Sequence, residues 1–97
     1  MQPTPRLTRR IRADFGADEV DLVIGALDEL GDLSGPGIGE RVQAAIVKLS
    51  EGDLVRFDRA LEVARRDWRD VLVAAGFEHE DWPERLDDYL GPIETPA

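Results

Sequence analysis

Asp53-Leu54-Val55-Arg56-Phe57-Asp58-Arg59-Ala60-Leu61-Glu62-Val63-Ala64-Arg65-Arg66-Asp67-Trp68-Arg69-Asp70-Val71-Leu72-Val73-Ala74-Ala75-Gly76 is the stretch that decides the fold. Within it Leu54, Phe57, Leu61, Ala64, Trp68, Val71, Leu72 and Ala75 recur largely at three- and four-residue steps. At ~100° per residue they fall within an arc of roughly 100°, which is one face of a helix. Asp53 offers a carboxylate to the free amides of the first turn, and Gly76 tolerates the left-handed conformation that closes the last one. The pattern predicts one long helix ending before Gly76. Asp67 is itself a capping residue, so a break there stays open.

The same signals extend outward. Asp81-Trp82-Pro83 opens a short helix carrying Leu86, Tyr89 and Leu90 inward, with Pro83 tolerated in the first turn. Upstream, Ile38, Val42, Ala45, Ile46 and Leu49 mark a helix that Gly52 ends. Before it, Asp32-Leu33-Ser34-Gly35-Pro36-Gly37 reads as a loop. Val20, Val23, Ile24, Leu27 and Leu30 form the stripe of a helix capped by Asp18 and stopped at Gly31. Thr8 is the expected cap of a first short helix carrying Leu7, Ile11 and Phe15 and ended by Gly16. No segment alternates with the two-residue period of a strand. The expected fold is therefore all-α: a compact bundle of about five helices with the long fourth one as spine. Residues 1–7 read as a flexible basic tail, 8–91 as one helical domain, and 92–97 as a disordered C-terminal tail.

Composition removes whole classes of function. Ninety-seven residues, 42% of them hydrophobic, suffice for one core and no second. Twelve basic against 21 acidic side chains leave a net charge of −9, which makes nucleic acid and anionic membranes poor partners. Arg6, Arg9, Arg10 and Arg12 form a local basic patch, too small to reverse that balance. There is no cysteine for a disulfide, a thiolate metal site or a nucleophile, and His79 is the single histidine. No apolar run approaches the ~20 residues of a membrane span, and no secretion-signal pattern opens the chain. Arginine supplies every basic residue except Lys48, in an Ala-, Gly- and Val-rich background. That bias suggests GC-rich coding, a bacterial source and a cytoplasmic address.

The candidate sites have plain structural explanations. Gly35-Pro36-Gly37-Ile38-Gly39 precedes a helix, but no strand comes before it, no Gly-Lys-Ser/Thr follows, and Glu40 would repel a phosphate. Ser34 stands in Asp-Leu-Ser, whereas the phosphopantetheine serine of carrier proteins stands in Asp-Ser-Leu at a helix start. His79 lies among Glu78, Glu80 and Asp81, contiguous residues that rarely converge on a metal. The carboxylate pairs Asp28 and Glu29, Asp67 and Asp70, and Asp87 and Asp88 fall on polar faces or at caps. Arg59, Arg66 and Arg69 are interleaved with Asp58, Glu62 and Asp70 at spacings that favour mutual ion pairs. Trp68 is expected in the core, and Trp82 over a helix end with its indole edge near solvent. No catalytic, cofactor or metal site is assigned.

One positive signal remains. Val55, Val63 and Val73, with Leu22 and Val47, lie away from the expected core faces, and Val55 and Val73 share a side of the long helix. Taken with the acid-rich segment Glu78 to Asp88, they single out Val55, Val73, Glu84, Asp87 and Asp88 as partner-binding residues. The partner expected is another protein or a second copy in a homodimer, with nucleic acid and membrane disfavoured.

Gly39-Glu40-Arg41-Val42-Gln43-Ala44-Ala45, the run Asp67-Trp68-Arg69-Asp70-Val71-Leu72-Val73-Ala74-Ala75-Gly76, and Asp81-Trp82-Pro83 resemble a set of short, uncharacterised proteins of high-GC Gram-positive bacteria. The resemblance covers roughly residues 8–91, with the Ser34–Gly39 loop departing from the pattern. It implies a small helical bacterial domain and carries no activity or functional residue across. The expected function is thus a non-enzymatic, acidic helical interaction module, an adaptor or regulator. The alternatives are a charge-mimic inhibitor or immunity-type protein for a basic partner, and a small-molecule carrier or enzyme with a pocket between helices.

Overall fold

The computed structural model describes residues 2–30 and 38–91, the side chain of Ile38 excepted. Among them run six helices and no strand: α1 (Pro5–Asp14), α2 (Ala17–Glu29), α3 (Ile38–Ser50), α4 (Leu54–Arg66), α5 (Trp68–Ala75) and α6 (Trp82–Leu90). The all-α class expected from the periodicity is therefore present, but with six helices and no long spine.

The missing spine results from Asp67. This residue leaves helical space (φ −155°, ψ 104°) while its N–H still donates to the Val63 carbonyl (2.8 Å), closing α4. Its side chain accepts from the Arg69 N–H (3.1 Å), opening α5. One extended residue thus serves as the last cap of one helix and the first cap of the next. The apolar stripe continues across the break, which is why spacing alone reads as a single helix.

The first helix also begins earlier than expected. Thr4, not Thr8, caps α1, accepting from the Leu7 N–H (3.4 Å), and Pro5 occupies the first turn. Arg6, placed in the basic tail by the sequence reading, is buried, as is Leu7. In α2 the cap is Gly16 rather than Asp18, and Glu19 reaches back to accept from the Gly16 N–H (3.2 Å). The expected stop at Gly31 and the segment 92–97 lie outside the described residues.

The centre of the bundle is α3. It packs against α1, α4, α5 and α6, and its Gln43 side chain donates to the Leu27 carbonyl at the end of α2 (3.2 Å). Every residue from Val42 to Val47 is buried, so α3 has no solvent face along that run. Val47, expected on an outer face, is fully buried for this reason. Around α3 lie Leu7, Ile11, Val23, Leu27, Phe57, Leu61, Val71, Leu72 and Leu86, with Phe15 and Phe57 edge to face at 6.1 Å. Phe77, just past α5, is buried beside them and packs on Tyr89. It gets there because Gly76 takes a left-handed conformation (φ 81°) and the Phe77 N–H returns to the Leu72 carbonyl (2.9 Å), the closing bond of a Schellman turn. Among the described residues no helix is long and apolar enough to cross a membrane.

Candidate functional site

Two features of the structure answer to no expectation drawn from the sequence. The first is an ion cluster around a buried arginine. Arg6, only 5% exposed, sets its guanidinium against Glu40 with Nε–Oε2 3.0 Å and Nη2–Oε1 2.6 Å, a two-pronged pair. Its Nη1 donates to Asp87 (2.6 Å) and to the Gly91 carbonyl (3.2 Å), while the Thr4 hydroxyl donates to Glu40 (2.5 Å). Burial pushes the Glu40 carboxyl upward, and the Arg6 and Thr4 hydrogen bonds outweigh it, so the net shift is below the usual glutamate value. Arg9 adds a bond to the Leu90 carbonyl (3.0 Å). The cluster ties α1 to the start of α3 and the end of α6, and all its strong donors are spent within the chain. The signal that could have revealed it is Thr4-Pro5, a cap followed by proline, which starts a helix at residue 5 and puts Arg6 in its first turn.

The second feature is an open groove of about 260 Å³ between α4 and α5, with Leu49 of α3 in its lining. Ala60, Val63, Val71 and Ala74 make it apolar, Arg56 and Arg59 edge the α4 wall, and Asp70 edges the α5 wall. Val63 is 38% exposed there. Arg56 pairs with Glu51 (2.5 Å), but among the described residues neither Arg59 nor Asp70 forms an ion pair. The expected mutual pairing of the α4–α5 arginines holds for Arg66 with Glu62 (3.0 Å) and Arg69 with Asp67 (3.4 Å), and fails for Arg59. The groove lies where α4 and α5, separated by the break at Asp67, pack together beside Leu49.

The expected partner-binding residues are not brought together. Val55 (61% exposed) and Val73 (55%) stand on different helices, so the shared helix side disappears with the long helix. Val73 lines a separate cleft with Arg41, Trp68, Arg69, Leu72 and Glu78, and Val55 lines neither. Glu84 and Asp88 are exposed on α6. Asp87, expected to face a partner, is exposed and pairs with Arg6. Trp68 is half-buried at the first turn of α5 instead of inside the core, with the Arg69 guanidinium 5.7 Å from its ring centre. Trp82 packs at the start of α6 as expected, under the Arg41 guanidinium at 4.5 Å. Arg41 also donates to the Phe77 carbonyl (2.7 Å), and burial lowers its pKa.

Other candidates are dispersed. His79 is exposed in the turn before α6, 3.9 Å from Glu78. Among the described residues no three His, Asp or Glu side chains cluster as a metal site. Ser34 and Gly35–Gly37 lie outside the described residues, while Gly39 and Glu40 belong to α3. Comparison with protein-family models, with curated proteins and with solved structures finds no match for this chain.

Proposed function

We propose that this chain is a non-enzymatic interaction module, an adaptor or regulator, that receives an apolar helix in the groove between α4 and α5. The observation that supports it is the groove itself: an open apolar groove lined also by Arg59 and Asp70, charges with no ion pair among the described residues. A docked helix would set apolar side chains at i and i+3 or i+4 on Val63, Val71 and Ala74, with a carboxylate toward Arg59. Rim charges of this kind set orientation and association rate, while the apolar floor supplies the affinity. The bundle of α1, α3 and α6 acts as the scaffold.

The test is an affinity capture from lysate at low and moderate salt, run in parallel with Val63→Asp and with Glu84→Lys plus Asp88→Lys. Asp87 is kept intact, because reversing it would break the Arg6 cluster and confuse binding with folding. The expected result is one protein retained at both salts, lost from Val63→Asp and kept by the α6 variant. Retention that ignores Val63→Asp and vanishes with the α6 reversals would move the site to the acidic α6 surface and overturn the proposal.

A further inference from the structure

α2 has an outer face that the fold does not use. Asp18, Leu22, Gly25 and Glu29 follow at i, i+4, i+7 and i+11, within an arc of roughly 60°. All four are exposed, Leu22 by 56%. Glycine in a helix interior costs stability against alanine, and is kept where something must approach closely. Among the described residues nothing requires it: a Cβ built on Gly25 meets no atom within 4 Å. Leu22 projects beside it, three residues earlier on the same ridge. An exposed leucine next to a glycine with no internal role forms a knob and a point of close approach for another helix.

Charge names the occupant. α2 holds Asp18, Glu19, Asp21, Asp28 and Glu29 and no basic residue. α4 holds Arg56, Arg59, Arg65 and Arg66 against Asp58 and Glu62, so it is a basic helix in a chain of net charge −9. By helical geometry Asp21 and Asp28 flank one side of the α2 ridge, and Ala26 with Glu19 the other. The acids of this ridge meet a groove whose α4 wall carries Arg56 and Arg59, with Ala74 and Asp70 on the α5 wall.

We infer that the α2 ridge of one copy of this chain docks in the α4–α5 groove of a second copy, Leu22 entering the groove and Asp21 facing Arg59. The inference rests on the groove being a docking site, and names its occupant. The two surfaces are unlike, so the contact either closes into a ring or continues head to tail. The ion pairs are solvent-exposed, so association weakens as salt rises.

The experiment is sedimentation velocity of the full chain over about a hundredfold range of concentration. The expected result is association that Leu22→Glu and Gly25→Gln each weaken about tenfold or more. Both sites are exposed, so helical circular dichroism and the melting midpoint are expected to show intact folds. Asp18→Arg with Asp21→Arg, and separately Arg56→Glu with Arg59→Glu, each prevent self-association, and mixing these two variants restores it. A chain that stays monomeric throughout, or association indifferent to Leu22→Glu and Gly25→Gln, overturns the inference. If the chain is monomeric yet Val63→Asp still abolishes capture of a lysate protein, the groove reading survives and only the second copy is lost. Association that ignores both Val63→Asp and Arg59→Glu removes the groove reading as well.

Discussion

Gly52 and Gly25 have opposite reasons to be glycine, and substitution separates them. Gly52 sits at φ +76° after Glu51, itself at φ 49°, and a Cβ there would lie 2.5 Å from the Asp14 carbonyl oxygen. The turn from α3 to α4 therefore rests directly on the end of α1. Gly52→Ala is expected to lower stability by about 2–3 kcal/mol, from backbone strain plus the displaced contact. Gly25→Ala meets nothing and improves helix propensity, so a gain of about 0.5–1 kcal/mol is expected. Urea denaturation at low protein concentration reads both, with unchanged m-values if the unfolded state is unaffected. Arg6 and Glu40 supply a second residue-scale prediction. Arg6→Ala leaves the half-buried Glu40 without its cation, with Asp87 already exposed to solvent, and should cost about 1–3 kcal/mol. The Glu40 pKa is depressed on folding, so its contribution is present above the ordinary glutamate value and is lost as pH falls through the folded one. Glu40→Gln should accordingly be less stable than the parent near neutral pH. The gap should narrow in acid, and a gap that stays constant from neutral pH into acid would contradict the assignment.

The helix ends show how local chemistry and long-range packing divide the work. Asp53 caps α4 as its position suggests, accepting from the Val55 and Arg56 N–H groups (2.8 and 3.2 Å), and Gly76 ends α5. Asp67 is different: a continuous helix and a broken one place the same residues on the apolar side, so periodicity is indifferent to the break. Asp67→Ala removes the bond to the Arg69 N–H and should cost about 1 kcal/mol. Chemical denaturation checks the size, and a stability gain would mean that the capping bond contributes nothing. The same indifference explains Thr4 and Thr8, which are both able to cap. What selects Thr4 is Pro5 in the first helical turn and the burial of Arg6 that follows from starting there.

Across the whole molecule, charge and burial are distributed by element. Acidic α2 and basic α4 carry opposite surfaces, while Arg6 of α1 binds Glu40 and Asp87 and Arg9 donates to the Leu90 carbonyl. These bonds link positions 34 and 81 residues apart, so they fasten both ends of the described chain to the start of α3. Of the N-terminal basic patch, Arg6 is thereby used inside the fold, and Arg9 and Arg12 stay exposed. The groove lies between α4 and α5 beside Leu49, with Arg59 and Asp70 in its lining.

What the sequence determined by itself was the helical class, most helix stripes, the caps at Asp53 and Gly76, and the turn before α6. Each of these depends on residues within one or two turns of one another, where spacing and capping chemistry act directly. Tertiary structure alone decided that α3 is the centre, that Gln43, Val47 and Ser50 are buried, that Asp87 faces Arg6, and that Val55 and Val73 part company. A helix's periodicity states which face is apolar. How many neighbours cover that helix, and which distant charge meets which, depends on the packing of all six helices at once.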